Sequence, residues 1–182
     1  MLDSTVFIHI FRFYSKCLSA PYDEMSLELQ YLFRQMEKTY VNELDEQLAA
    51  HCLDILNYLQ GEEISSLQAE FARMFAHVEG EEPLLSIHFS GYGNSGSSFD
   101  IMDEIYESLP EIAYDETPDS IINFLDYFSY LAESGEILDS LQTFSEIITP
   151  FSTQLFDAAN NNFYKEVAKG LIELAEVFSE ED

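Results

Sequence analysis

The sequence predicts an all-α protein, a single-domain helical bundle of about eight helices. Apolar residues recur at steps of three and four in segment after segment, the spacing that lines one face of a helix. No run alternates between apolar and polar residues as a half-buried strand does. The 182 residues are 47% apolar and 14% aromatic, with fifteen Phe and eleven Tyr, which is ample material for one core.

Taken in order, residues 3–19 are apolar on several sides, which predicts a buried or paired first helix. Residues 23–38, 41–59 and 64–77 read as three more helices, punctuated by Pro21 and Gly61. The stretch from Glu79 to Ser97 breaks the pattern. It holds Gly80, Pro83, Gly91, Gly93 and Gly96 with several serines, and is expected to be a long mobile loop (79–97) in a domain spanning 1–182. A short helix is expected over 98–109, before Pro110. Thr117-Pro118-Asp119 has the chemistry of a helix start, with Thr as cap, Pro at the first position and Asp at the positive end. Ile121, Leu125, Phe128 and Leu131 line that helix, and Gly135 ends it. Ile137, Leu141, Phe144, Ile148, Phe151 and Leu155 line the next, which Pro150 should kink or divide. Phe163, Val167, Leu171, Leu174 and Phe178 line the last.

Thirty-five Asp and Glu against seven Lys and Arg give a formal charge of −28. Such a surface repels nucleic-acid phosphates and anionic membranes, and attracts basic partners in a salt-dependent way. The apolar stretches fall short of the ~18–20 residues a membrane span needs, and Val6 to Phe11 lacks the flanks of a signal peptide. The expectation is a cytoplasmic protein without stable membrane insertion. Cys17 and Cys52 belong to no motif and read as buried thiols.

Candidate chemistry is sparse. Gly91-Tyr92-Gly93-Asn94-Ser95-Gly96 has the spacing of a dinucleotide-binding turn, with Asp115 and Glu116 about twenty residues on. That fold needs alternating strands and helices, which this chain lacks, and Glu79, Glu81, Glu82 and Asp100 would repel a pyrophosphate. The glycines read instead as turn formers. His51, His77 and His88 have no metal-ligand spacing, and Asp100, Asp103, Glu104 and Glu107 read as a solvated helix face. No serine stands in a nucleophile elbow. No enzyme activity, cofactor or metal is expected.

Four stretches occur in a telling order. They are Glu70-Phe71-Ala72-Arg73-Met74-Phe75; a loop with Pro83 and Ser86-Ile87-His88; Glu116-Thr117-Pro118-Asp119-Ser120-Ile121 with Leu125, Asp126 and Tyr127 beyond; and Phe163-Tyr164 with Val167 and Ala168. Together they resemble the TorD/DmsD/NarJ family of cytoplasmic redox-enzyme maturation chaperones. The first is similar to the family's acidic–aromatic–x–Arg–Leu–Phe helix and the second to its proline-rich connection ending in Ser-x-Tyr. The third is similar to Glu-x-Pro-Asp-His-Leu and the fourth to the Phe-Tyr that opens the last helix. Two positions depart from the pattern: the family's His after Pro-Asp is Ser120, and the Glu four residues on is Phe124. The family's usual Trp residues are also missing.

The resemblance implies a TorD-like bundle that binds the N-terminal leader, twin-arginine or remnant, of the catalytic subunit of a molybdenum-containing oxidoreductase. Binding would precede cofactor insertion, assembly and export. A leader of this kind is basic and then apolar, so its receptor needs carboxylates beside an apolar wall. Glu116, Asp119 and Asp126 are the candidate acids, Phe75, Pro83 and Tyr127 the candidate wall, and Ser86, His88, Pro118 and Ser120 complete the client-binding set. The chain is expected as a monomer or homodimer that binds no nucleic acid. The alternative is an acidic interaction module, or a nucleic-acid mimic, that occupies a basic partner.

Overall fold

The computed structural model describes residues 4–38, 43–77, 79–93, 95–108 and 119–179. Eight α-helices run through them: α1 (Ser4–Leu18), α2 (Met25–Glu37), α3 (Glu43–Gly61), α4 (Ile64–Phe75), α5 (Ser95–Ser108), α6 (Ile121–Ser134), α7 (Leu141–Ala158) and α8 (Asn162–Ser179). Among the described residues there is no β-strand, and an isolated antiparallel bridge joins His88 and Ser120. The expected all-α bundle is the observed one.

The first helix is apolar on several sides because it has neighbours on several sides. α1 packs on α2, α6 and α8, and buries Phe7, Ile10, Phe11, Phe13, Tyr14, Cys17 and Leu18. α7 and α8 form an antiparallel pair, α8 also packs on α3, and α3 packs on α2. At the centre Phe11 of α1, Phe124 and Phe128 of α6, Phe144 of α7 and Phe178 of α8 meet ring to ring, with Phe128 and Phe144 at 4.9 Å and Phe11 and Phe144 at 5.2 Å. Each such ring contributes about 1.5–3 kcal/mol by burial, and each tilted or edge contact about 0.5–1.5 kcal/mol more. Phe124 lies in this cluster, stacked on Phe144 and touching Phe89 of the loop. Cys17 and Cys52 are free and fully buried, and burial raises both thiols above their usual range.

Three boundaries differ from expectation. α6 does not start at Thr117-Pro118. Its cap is Ser120, whose Oγ accepts the Asn123 N–H at 3.1 Å, so helical dihedrals begin at Ile121. Thr117 and Pro118 lie outside the described residues. α5 begins at Ser95, inside the stretch read as loop. Pro150 does not divide α7, which runs unbroken from Leu141 to Ala158 after a 3₁₀ turn at Ile137–Ser140. The ring only removes the N–H that would return to the Glu146 carbonyl one turn earlier, and packing on α8 holds the rest of the helix. Gly135 ends α6 as expected, at φ 80°.

The turn before Pro150 positions the glycine loop. Gly93, at φ 74°, lies so close to α7 that a Cβ there would stand 3.0 Å from Ile147 Cγ1 and 3.3 Å from the Glu146 carbonyl oxygen. Tyr92 beside it is buried edge-on against Phe151 at 5.4 Å, and its hydroxyl donates to the Ser86 carbonyl at 2.8 Å. This glycine spacing therefore answers to packing on a helix; no strand precedes it among the described residues.

Candidate functional site

The segment between α4 and α5 is tied down at three points. Near its start, the Leu85 N–H donates to the Met74 carbonyl at 2.9 Å, and Leu85 is buried. In the middle, Phe89 N–H donates to Asp119 O at 2.8 Å and Ile121 N–H to Ile87 O at 2.7 Å. These reciprocal bonds are the bridge that joins the loop to the start of α6. At its end, a 3₁₀ turn at Phe89–Gly91 sinks Phe89 into the aromatic core and leads to Tyr92.

The bridge brings polar side chains together. His88 Nδ1 lies 2.9 Å from Asp119 Oδ1, and Ser90 Oγ donates to Asp119 Oδ2 at 3.3 Å. Ser86 Oγ accepts the His88 backbone N–H at 3.1 Å. The side chains of His88 and Asp119 remain 42% and 28% exposed, so the pair faces solvent and can meet a ligand. Asp119 stands just before the cap, not in the first helical turn. Its carboxylate serves the loop rather than the helix end.

Ser86, His88, Asp119 and Ser120 thus form one group, although Ser120 is buried and committed to its cap. Tyr127 lies farther along α6; it is buried and donates its hydroxyl to Glu104 Oε2 of α5 at 2.8 Å. Burial and then this hydrogen bond raise the phenol well above its usual range. Asp126 is half-buried on the same helix. Phe75 is largely buried at the end of α4, its ring 4.9 Å from that of Phe71, and Pro83 is half-buried in the loop. Glu116 and Pro118 lie outside the described residues.

Sequence reasoning overlooked two parts of this surface. Ser90 shares the Asp119 carboxylate with His88, and because it lies in the 3₁₀ turn at Phe89–Gly91 no spacing rule in the sequence marks it. An open hollow is lined by His77, Glu79, Gly80, Glu81 and Glu82, directly before Pro83 and the exposed Leu84. In the sequence those glutamates oppose a phosphate, and three acids ahead of an apolar pair is itself a pattern.

The Glu70–Arg73 motif has a structural role. Arg73 Nε and Nη2 donate to the two Glu70 carboxylate oxygens at 2.8 Å each. Arg73 Nη2 also donates to the Ala158 carbonyl, and the Asn160 N–H donates to Glu70. The pair therefore fastens α4 to the turn between α7 and α8. Arg73 holds the Glu70 carboxyl below its usual range, against a smaller opposing effect of burial.

No family model matches this sequence, and no curated protein does. Among solved structures, the fold is similar to the crystal structure of a protein from Archaeoglobus fulgidus described as a candidate redox enzyme maturation protein. The TM-score is 0.61 at 16% identity, over 93% of each chain. Likeness at that identity speaks for the fold. Among the described residues no helix is long and apolar enough to cross a membrane, and no group of three or more His, Cys, Asp or Glu could hold a metal ion.

Proposed function

We propose that this chain is a cytoplasmic maturation chaperone. In this reading it binds the twin-arginine or remnant leader of the catalytic subunit of a molybdenum-containing oxidoreductase, and holds that subunit for cofactor insertion and assembly. One observation carries the reading: an acidic hollow at Glu79, Glu81 and Glu82 runs directly into Pro83 and exposed Leu84 on a segment pinned to α6 beside Asp119. The similarity of the fold to a candidate redox enzyme maturation protein supports the same class.

The chemistry follows the order of charges in the ligand. Leader guanidiniums meet the hollow's carboxylates, where bidentate charge-assisted bonds fix the register. The apolar part of the leader then lies along Leu84 and Pro83, where burial supplies most of the affinity. Asp119, held by His88 and Ser90, offers a positioned carboxylate at the far end. The remaining acids raise the rate of encounter without choosing the site. The chain carries out no bond-making step in this scheme.

Calorimetry with a synthetic twin-arginine leader tests it. Binding is expected at low salt and should weaken steadily as salt rises. Glu81→Gln combined with Glu82→Gln, and separately Asp119→Asn, should each weaken binding about tenfold. Glu62→Gln and Glu176→Gln, on other parts of the surface, should change it by less than about twofold. Equal losses from all four would mean diffuse attraction with no site. Absence of binding to leaders of this class would overturn the proposal.

A further inference from the structure

The outer face of α2 carries a stripe that other helices leave uncovered. Glu24, Leu27, Tyr31, Arg34 and Lys38 follow one another at steps of three, four, three and four, and all five are exposed. Glu24 and Lys38 cap the helix yet keep helical dihedrals, φ −85° and ψ −4° for the first, φ −77° and ψ −18° for the second. The stripe is therefore continuous over about 21 Å. Leu27 and Tyr31, at 67% and 62% exposure, are the two most exposed large apolar side chains among the described residues. The opposite face of the helix buries Met25, Leu29 and Met36, where α2 packs on α1 and α3.

The charges on the stripe are ordered. It begins with an acid and ends with two cations. Arg12, Lys16, Arg73 and Lys169 each hold a carboxylate. Among the described residues Arg34, Lys38 and Lys165 do not; Lys165 lies over the Phe156 ring, and Lys38 reaches only the Gln35 side chain, at 3.4 Å. On a chain of net charge −28, cations left without an acid beside a bare Leu and Tyr call for an outside partner.

The pattern is its own complement when reversed. Two copies of α2 laid antiparallel about a two-fold axis at Tyr31 bring Glu24 of each opposite Lys38 of the other. Leu27 then meets the aliphatic stem of Arg34, and the Tyr31 rings meet at the axis. We propose that α2 is the contact face of a two-fold homodimer of this chain. The steps of three and four are those of an antiparallel helix pair. The contact is at the small end of specific interfaces, so association is weak and reversible. Two copies of charge −28 also repel at low salt, so moderate salt favours association until it screens the Glu24–Lys38 pairs. The face shares no residue with the loop–α6 surface, so the inference stands apart from the leader-binding reading.

Sedimentation equilibrium over a concentration series tests the contact. The parent should rise from 20.9 kDa toward twice that mass as concentration increases. Lys38→Glu alone and Glu24→Lys alone should each weaken association about tenfold or more, because each places like charges opposite one another twice per dimer. An equimolar mixture of the two variants, and the double variant, should recover it, since both restore opposite signs at both ends. Circular dichroism should be unchanged throughout, because neither side chain packs in the core. A parent that stays monomeric, single variants that associate like the parent, or a mixture and double variant that fail to recover would each overturn the proposal.

Discussion

Gly93 shows how a single backbone position fixes the loop on the bundle. Its φ of 74° suits glycine, and the space where a Cβ would go is filled by Ile147 and the Glu146 carbonyl. Gly93→Ala should therefore destabilise the fold by about 1–3 kcal/mol, read as a lower urea midpoint. Gly96→Ala, with nothing within reach of a new Cβ, should change stability by less than about 1 kcal/mol. The GxGxxG spacing was plain in the sequence, but its purpose was not, because Ile147 lies on a helix far along the chain. The start of α6 misled for a local reason. Thr-Pro-Asp and Ser120 both carry cap chemistry within a few residues. What selects Ser120 is the bridge at His88, a long-range hydrogen-bond pattern that no window of sequence contains.

Between elements, side chains on one helix make their bonds on another. Glu166 of α8 is buried, yet His51 Nδ1 of α3 lies 2.7 Å from one carboxylate oxygen and Lys169 Nζ lies 3.0 Å from the other. Burial alone would raise this carboxyl, but the bonds from His51 and Lys169 outweigh it and hold the group below its usual range. A depressed folded value means the stabilisation is present above the unfolded pKa of about 4.3 and is lost as pH falls through the folded one. Glu166→Gln should therefore cost about 1–3 kcal/mol near pH 7. The gap between thermal melts of parent and variant should narrow as pH falls below the unfolded value. A gap that stays constant across the acid range would mean that packing, not the ionised carboxylate, ties α3 to α8. The helices themselves were readable from apolar spacing, down to the C-terminal Gly135. Such pairings were not, because periodicity identifies a buried face without naming its neighbour. Pro150 illustrates the same limit: the residue argues for a break, and the packing of α7 on α8 carries the helix through it.

For the molecule as a whole, the acidic excess divides into parts with different roles. Glu70 and Glu166 hold helices together, Asp119 joins the loop to α6, Glu104 receives the Tyr127 hydroxyl, and Glu79, Glu81 and Glu82 line the hollow. Composition raises the expectation of a basic partner but does not separate these groups, since charge carries no address until the chain folds. The bridge at His88 and Ser120 has one more consequence, in time rather than in space. Its two amide protons, on Phe89 and Ile121, are given by each segment of chain to the other, so lifting the loop off the start of α6 breaks both bonds. Hydrogen exchange should show equal protection of both, each rate taken relative to that of the same amide in an unfolded chain, because one opening event exposes them. Unequal protection would show that the loop lifts by peeling from one side. Equal protection would make this joint a latch that opens as one unit.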